Sequence, residues 1–162
     1  MSEVTKKLGN VGENLAASFL EKHGYKILER NYRIRTAEID ITDCPDLGPV
    51  LAAYAALRSG CTLTGTGRLK YKESDRAAAI RDELAKFGVS IGITEDSMTI
   101  GGGAKAPSAV LDGHNDHRIV MALAVMCAQT GGVIDGAEAV NKSFPDFFDK
   151  LQAAGIDIKE VS

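Results

Sequence analysis

The sequence predicts a mixed α/β fold in which helices pack on a sheet, and three observations support this. Apolar residues recur at helical spacing in segments 45–58, 73–87, 116–129 and 143–154. Short β-prone segments, bounded by glycine or charged turns, alternate with these helices. The 162 residues are 44% hydrophobic and 25% charged, which suits a globular protein with one ordinary core. Strands that alternate with helices indicate layered α/β or α+β packing.

Capping residues set the predicted helix ends. Asp43 is placed to cap the helix that begins at Pro45, where a missing backbone N–H costs little. Gly60 stops that helix, Gly88 ends the second, and Gly131 with its neighbouring glycine ends the third.

Strands are predicted where β-prone residues fall between these helices. Two of the predicted strands form a hairpin around Glu95 and Asp96. A weak repeat of strand, turn, helix and strand recurs around Asp46, Glu73 and Asp116, and hints at a repeated unit. The predicted strands cover residues 37–42, 61–65, 89–93, 97–100, 133–135 and 156–161.

The first segment is predicted to form a helix over residues 11–21 and strands over residues 25–35. A single helix with two strands cannot bury its own apolar faces, so we expect these strands to join the sheet formed by the rest of the chain. The predicted organisation is therefore one folded domain built from segments 1–37 and 38–162. An incompletely covered sheet edge would favour a homodimer.

Composition excludes several functional classes. The net charge of −3 gives no overall attraction to nucleic acid or an anionic membrane, and no apolar run is long enough to span a bilayer. The N-terminus lacks the apolar stretch of a signal peptide, so a cytoplasmic location is expected. Cys44, Cys61 and Cys127 have no metal-binding spacing, and we expect reduced and mostly buried thiols.

Lys72 and Arg76 form the densest cationic cluster, together with Arg68 and Lys70. They are four residues apart and are predicted to project from one face at a helix N-terminus, where the helix dipole favours an anion. This pattern predicts a site for a phosphate or carboxylate. The alternative is a solvated charged face with no ligand.

A second polar group, Asn115 to Arg118, precedes an almost wholly apolar helix. Such a helix is buried, so its polar start borders a cleft or an interior. His117 is suited to proton transfer near neutral pH, and Arg118 to a forked hydrogen bond with a carboxylate or phosphate. The alternative is that Asn115 or Asp116 only caps the helix.

Two further residues are candidates because of their place beside predicted helix starts. Lys142 directly precedes a predicted helix, where a cation is unfavourable for the dipole, and this suggests that it serves a ligand. Asp46 lies in the first turn of its helix, where capping alone would explain a carboxylate.

Taken in order, four strings resemble the C-terminal part of the 3-phosphoshikimate 1-carboxyvinyltransferase (EPSP synthase) family: DCPDLGP (43–49), KESDR (72–76), NDHR (115–118) and KSFP (142–145). The resemblance covers roughly residues 38–161. It implies βαβαββ units of the enolpyruvyl transferase type, and transfer of an enolpyruvyl group from phosphoenolpyruvate to the 5-hydroxyl of shikimate 3-phosphate, without cofactor or metal.

The resemblance also implies roles for individual residues. Asp46 matches the proposed base and Glu73 the proposed acid, while Lys72 matches the lysine that bridges the substrates. The residues implied to bind phosphoenolpyruvate are Arg76, Arg118 and Lys142, with His117 as their neighbour. A polyanionic substrate needs converging cations of this kind, and we expect these side chains to lie near one surface.

The resemblance further implies that about two units of one domain are present and that the other half of the site is missing, so that little or no turnover is expected. Strings in residues 8–16, 19–32 and 37–40 resemble a second family, the YraN-like proteins related to endonucleases. A downstream Glu-x-Lys needed for that family's metal site does not follow, so an inert nuclease half-site is expected. Three hypotheses remain open: an enolpyruvyl transferase fragment, a chimeric fold without activity, and a nucleic-acid-binding module.

Overall fold

The structure, a computed structural model, describes residues 38–161, which lie within a compact unit spanning residues 35–162. Helices alternate with short strands along this part of the chain, so the predicted mixed α/β class is confirmed. The predicted helix over 11–21 and strands over 25–35 lie outside the described residues. The strands are β1 Glu38–Asp40, β2 Cys61–Thr64, β3 Ile91–Ile93, β4 Ser97–Ile100, β5 Leu111–Asp112 and β6 Ile134–Asp135. The α-helices are α1 Gly48–Leu57, α2 Arg76–Lys86, α3 His117–Thr130 and α4 Phe147–Ala153.

Residues 38–100 form one βαβαββ unit. Its four strands make one sheet in the order β1-β2-β4-β3, in which β1 and β2 are parallel and β4 runs antiparallel to both of its neighbours. The parallel pair is joined through α1, and β3 and β4 form the predicted hairpin. Alternate residues of β2 are buried, which places one face of the sheet against the helices.

The first four elements of a second copy start at β5 and run through α3, β6 and α4, with β5 and β6 paired in parallel. The turns match: the Asp40 carboxylate accepts a hydrogen bond from the Thr42 N–H (2.8 Å), and the Asp112 carboxylate accepts one from the His114 N–H (2.6 Å). The weak repeat predicted around Asp46 and Asp116 is therefore a structural repeat, whereas the segment around Glu73 lies inside the first copy.

The second strand of each copy ends in the same way. Gly65 and Gly136 have φ 70° and are each followed by a six-residue 3-10 helix, Thr66–Tyr71 in the first copy and Ala137–Lys142 in the second. An added Cβ at Gly65 would lie 2.1 Å from the Thr42 hydroxyl, so the first turn requires glycine for both conformation and space.

The core lies between the sheet and helices α1, α2 and α3. Its completely buried members come from the sheet side, such as Leu63 and Met98, and from the helix side, such as Ala52 and Met126. A smaller cluster around Val140 and Phe147 packs α4 and the second 3-10 helix onto α3. This packing brings the N-terminal ends of helices from both copies together.

Several predicted boundaries are wrong for identifiable reasons. Asp43 caps nothing: a 3-10 turn over Pro45–Leu47 precedes α1, and its N-cap position is Cys44, without a side-chain cap. The second helix begins at Arg76 because the Asp75 side chain caps it by accepting a hydrogen bond from the Ala78 N–H. Lys72 therefore precedes the helix and does not share a helical face with Arg76.

The C-terminal part also differs from prediction. The last helix begins at Phe147, and Lys142 ends the second 3-10 helix, a position at which a cation is favourable, so the dipole argument for a ligand at Lys142 is wrong. No strand forms over residues 156–161, which have no partner strand within the described residues. The two-residue strand β5 was not predicted because it is too short to show an alternating pattern.

Candidate functional site

Charged side chains converge where α1, α2 and α3 begin. The segment 72–75 leads into α2, the 3-10 turn over Pro45–Leu47 leads into α1, and Asp116 caps α3. We use the name Arg76 cluster for Asp46, Lys72, Glu73, Arg76, Asp116 and Arg118.

Arg76 is the centre of the cluster and is completely buried. Its Nε donates to Asp116 Oδ2 at 2.8 Å, and its Nη2 donates to Asp116 Oδ1 at 3.2 Å. Nη1 donates to Asp46 Oδ1 at 2.8 Å, and Nη2 also donates to Glu73 Oε2 at 2.5 Å. A buried guanidinium is stable only with such partners, and here the partners come from three separate segments.

The Asp46 carboxylate forms ion pairs with three cationic side chains. Its Oδ1 lies 3.1 Å from Lys72 Nζ and 2.8 Å from Arg76 Nη1, and its Oδ2 lies 3.1 Å from Arg118 Nη2. Burial alone would raise the pKa of Asp46, but hydrogen bonds from Lys72 and Arg76 and the charge of Arg118 lower it overall. Asp46 and Arg118 occupy equivalent positions at the starts of the two copies and pair with each other across them.

The Asp116 carboxylate both caps α3 and takes part in the Arg76 cluster. Its Oδ1 accepts the backbone N–H of Arg118 at 2.9 Å, and its Oδ2 accepts the hydroxyl of Ser74 at 3.0 Å in addition to Arg76. Burial works against ionisation of this carboxyl, but the bonds from Arg76, the Arg118 N–H and Ser74 hold the pKa below its usual range. The sequence pattern identified Asp116 as a cap only, and its bond to Arg76 gave no signal in the sequence.

Lys142 and His117 are adjacent to the cluster without belonging to it. Lys142 Nζ donates to the backbone oxygen and the Oδ1 of Asn115, both at 2.6 Å, and Asn115 directly precedes Asp116. His117 is the first residue of α3 and is buried, and its Nδ1 has no hydrogen-bond partner among the described residues. Arg68 lies further off and donates only a long bond of 3.4 Å to the Thr42 carbonyl.

The exposure of these groups defines what the site can do. Arg118 and Lys72 are partly exposed, and so are the Asp46 and Glu73 carboxylates, whereas Arg76 and Asp116 are sealed inside. Four cations, with Lys142 included, face three carboxylates, so the net charge of the group is +1. An outer set of cations beside partly exposed carboxylates suits an anionic substrate and acid–base chemistry.

Acid should destabilise the protein through Asp46 and Asp116. Both pKa values lie below the ordinary 3.8, so these carboxylates stabilise the fold above that value and lose their contribution as the pH falls through their lowered pKa values. We expect the free energy of unfolding, measured by urea denaturation between about pH 6 and pH 2, to fall towards acid.

The Asp46→Asn variant should weaken this pH dependence. Asp157→Asn, which removes an exposed carboxylate paired with Lys159, is the matched control and should leave the dependence unchanged. An unfolding free energy that does not vary with pH in the wild type would show that the cluster is not coupled to folding.

Two features are absent from the described residues. Within residues 38–161, no three His, Cys, Asp or Glu side chains come together in a way that could hold a metal ion. None of the helices in this part of the chain combines the length and the apolar character needed to cross a membrane.

Comparison with known proteins identifies similar sequences over nearly the whole chain. The family model described as EPSP synthase (3-phosphoshikimate 1-carboxyvinyltransferase) matches residues 2–151. The 3-phosphoshikimate 1-carboxyvinyltransferase of Methanoculleus marisnigri is 42% identical over 133 residues, which cover 80% of this chain and 31% of the relative. That of Methanopyrus kandleri is 34% identical over 163 residues, which cover 99% of this chain and 38% of the relative.

A solved structure shows the same similarity in three dimensions. The EPSP synthase from Acinetobacter baumannii, at 2.37 Å resolution, superposes with a TM-score of 0.63 and 35% sequence identity, over 71% of this chain and 28% of that one. The chain spans about a third of the length of the curated relatives it matches.

Proposed function

Because the chain belongs to the EPSP synthase family, we propose that the Arg76 cluster with Lys142 is the phosphoenolpyruvate side of an enolpyruvyl-transfer site. The observation that carries this proposal is the convergence of Lys72, Arg76 and Arg118 on the single carboxylate of Asp46. Three cations that meet at one point can bind the carboxylate and phosphate of phosphoenolpyruvate when the substrate takes the place of that carboxylate.

The burial of each residue supports a division of roles. Lys72 and Arg118 are accessible and bind the anion, and Lys142 binds Asn115, which directly precedes Asp116. Arg76 already makes four hydrogen bonds, and one Nη1 hydrogen remains for a ligand. Its binding role, as implied by the family, is therefore limited to Nη1, which carries that hydrogen and the one that now faces Asp46. Its carboxylate contacts make it the support of the site.

Asp46 and Glu73 supply the acid–base chemistry in this proposal. The lowered pKa of Asp46 keeps this carboxylate ionised near neutral pH. It accepts the proton of the shikimate 3-phosphate hydroxyl while the hydroxyl oxygen attacks the enolpyruvyl carbon. Glu73 delivers a proton to the phosphoenolpyruvate methylene, and the later loss of that proton together with phosphate restores the double bond. His117, buried at the start of α3, borders the anion.

These 162 residues by themselves should bind more readily than they react. The relatives are about three times as long, and a clamp that holds two substrates in line contributes roughly 7–11 kcal/mol towards lowering the barrier. We therefore propose that the chain alone binds phosphoenolpyruvate weakly and shows little or no turnover with shikimate 3-phosphate.

Titration calorimetry with phosphoenolpyruvate tests the binding, and a coupled assay of phosphate release with shikimate 3-phosphate tests the turnover. Arg118→Gln should abolish binding, because it removes an accessible cation of the cluster. Arg81→Gln is the matched control, since Arg81 is an exposed arginine paired with its neighbour Asp82. No binding by the wild type, or equal binding by the Arg118→Gln variant, would contradict the proposal and favour a fold without activity.

The first 37 residues allow a second proposal. Their resemblance to the YraN-like family favours a chimera, whereas the EPSP synthase model matches from residue 2 and the Methanopyrus kandleri relative aligns over 99% of the chain. Crystallography of the full chain distinguishes the two by the path of these residues. Sedimentation of the same sample tests the proposed homodimer.

A further inference from the structure

Glu83 is a buried carboxylate that is not part of the Arg76 cluster. It lies in the last part of α2 and is 2% exposed. Lys86 Nζ lies 2.9 and 2.8 Å from its two oxygens, and the backbone N–H of Asp112 donates to Oε2 at 2.9 Å. The His114 Nε2 lies 3.1 Å from Oε1. Buried carboxylates need such partners, and here Asp112 ends β5 while His114 lies in the turn that connects β5 to α3.

That turn has an uncommon backbone. His114 and Asn115 both have positive φ values, 51° and 52°, and they are the only described residues other than glycine to do so. Two consecutive side-chain-bearing residues in the left-handed region persist only where surrounding contacts hold them. The turn ends at Asp116, which caps α3 and binds Arg76.

The structural repeat provides an internal comparison. The Asp40 turn of the first copy and the Asp112 turn of the second each contain a hydrogen bond from a backbone N–H to the aspartate side chain. Each turn then has one backbone hydrogen bond, from Cys44 N to the Ile41 oxygen in the first copy and from Asp116 N to the Gly113 oxygen in the second. None of the residues of the first turn has a positive φ. The left-handed pair is thus a feature of the second copy, where the turn leads into Asp116 and Arg118.

The turn is held on both sides. Glu83 binds its first part through Asp112 and His114, and Lys142 binds its last part through the two oxygens of Asn115. Lys86 also donates to the Val110 carbonyl at 3.0 Å, which fixes the strand that enters the turn. The helix α2 thereby carries Arg76 at its start and Glu83 two turns later. Glu83 holds the turn after β5, and that turn ends at Asp116, the partner of Arg76.

We propose that Glu83 is a positioning residue for the candidate site. Glu83 contacts Asp112 and His114 and so holds the turn in its left-handed conformation. The conformation of the turn then sets the positions of Asp116 and Arg118. Anion binding by Arg118 then depends on a carboxylate that never touches the ligand, an inference that rests on the proposed function.

Two variants in the full-length chain test the proposal, with inorganic phosphate as the probe. Glu83→Gln keeps an acceptor oxygen and removes the charge, and His114→Asn removes the imidazole while keeping a residue that tolerates positive φ. We expect each variant to bind phosphate about tenfold more weakly, the loss that corresponds to one charge-assisted hydrogen bond. Asp82→Asn, the exposed neighbour of Glu83, is the matched control and should bind as the wild type does.

Nuclear magnetic resonance separates positioning from a general loss of stability. The backbone amide signals of Asp116 and Arg118 should shift in the Glu83→Gln and His114→Asn variants and stay in place in Asp82→Asn. This measurement needs no ligand, so it still tests the proposal if the wild type fails to bind phosphate and the proposed function is wrong. Unchanged Asp116 and Arg118 signals in folded variants would overturn the proposal, even if the melting temperature fell.

Discussion

Arg76→Met is expected to lower the free energy of unfolding by about 3–5 kcal/mol, the usual result of removing one partner from a buried ion pair. Methionine is similar in length and can fill the space, so lost packing contributes little. The loss comes from Asp116, which is completely buried and would keep its charge with only Ser74 and the Arg118 N–H as partners. Urea denaturation at neutral pH measures the effect.

The size of the effect depends on burial, and a second arginine on the same helix tests this. Arg81 pairs with Asp82 at 2.8 Å, but both side chains are about half exposed, so Arg81→Met should change the unfolding free energy by less than about 1 kcal/mol. The double variant Arg76→Met with Asp116→Asn should recover part of the loss, since the unpaired charge is gone. Equal losses in Arg76→Met and Arg81→Met would show that Arg76 is not the support of the site.

The sequence could predict which residues lie close together, but not which side chains pair or which are buried. Helix starts rich in charge, together with the family resemblance, were sufficient to place Asp46, Lys72 and Glu73 near Arg118 and Arg76. Local patterns could not show that Arg76 is sealed inside by Asp116, because the two residues are distant in sequence and their pairing depends on how the helices pack. The same limit applies to Glu83. It follows Ile80 by three residues and precedes Phe87 by four, which places it on the apolar face of α2, but its partners Asp112 and His114 lie far along the chain.

The fold was predictable where local signals are strong. The helix that follows Asp116 has both a cap and a long apolar run, and its predicted bounds differ from the observed ones by only a residue. The helix predicted from Glu73 begins later, because Asp75 caps it while Ser74 donates its hydroxyl to Asp116 instead. Strand pairing over 156–161 depends on a partner, which no local pattern specifies.

Asp46→Asn is expected to tighten phosphate binding roughly tenfold, although it removes a proposed catalytic base. In the unliganded protein, Asp46 neutralises the cations that an incoming anion needs, at 3.1 Å from Lys72 and 3.1 Å from Arg118. An anion must displace this carboxylate or share its partners, and that competition weakens binding. Asparagine keeps the shape and one acceptor oxygen for Arg76 while it removes the competing charge.

Titration calorimetry with inorganic phosphate at constant ionic strength measures the change, because screening by salt would otherwise obscure it. Asp146→Asn is the matched control: its carboxylate also pairs with a lysine, Lys150 at 3.1 Å, but on a different helix, and the affinity should stay the same. Weaker binding by Asp46→Asn would mean that this carboxylate organises the cations more than it competes with the anion. Tighter binding would show that the Asp46 carboxylate occupies the cations until an anion arrives. The negative charge that Asp46 needs as a base would then also limit the affinity of the site for phosphate.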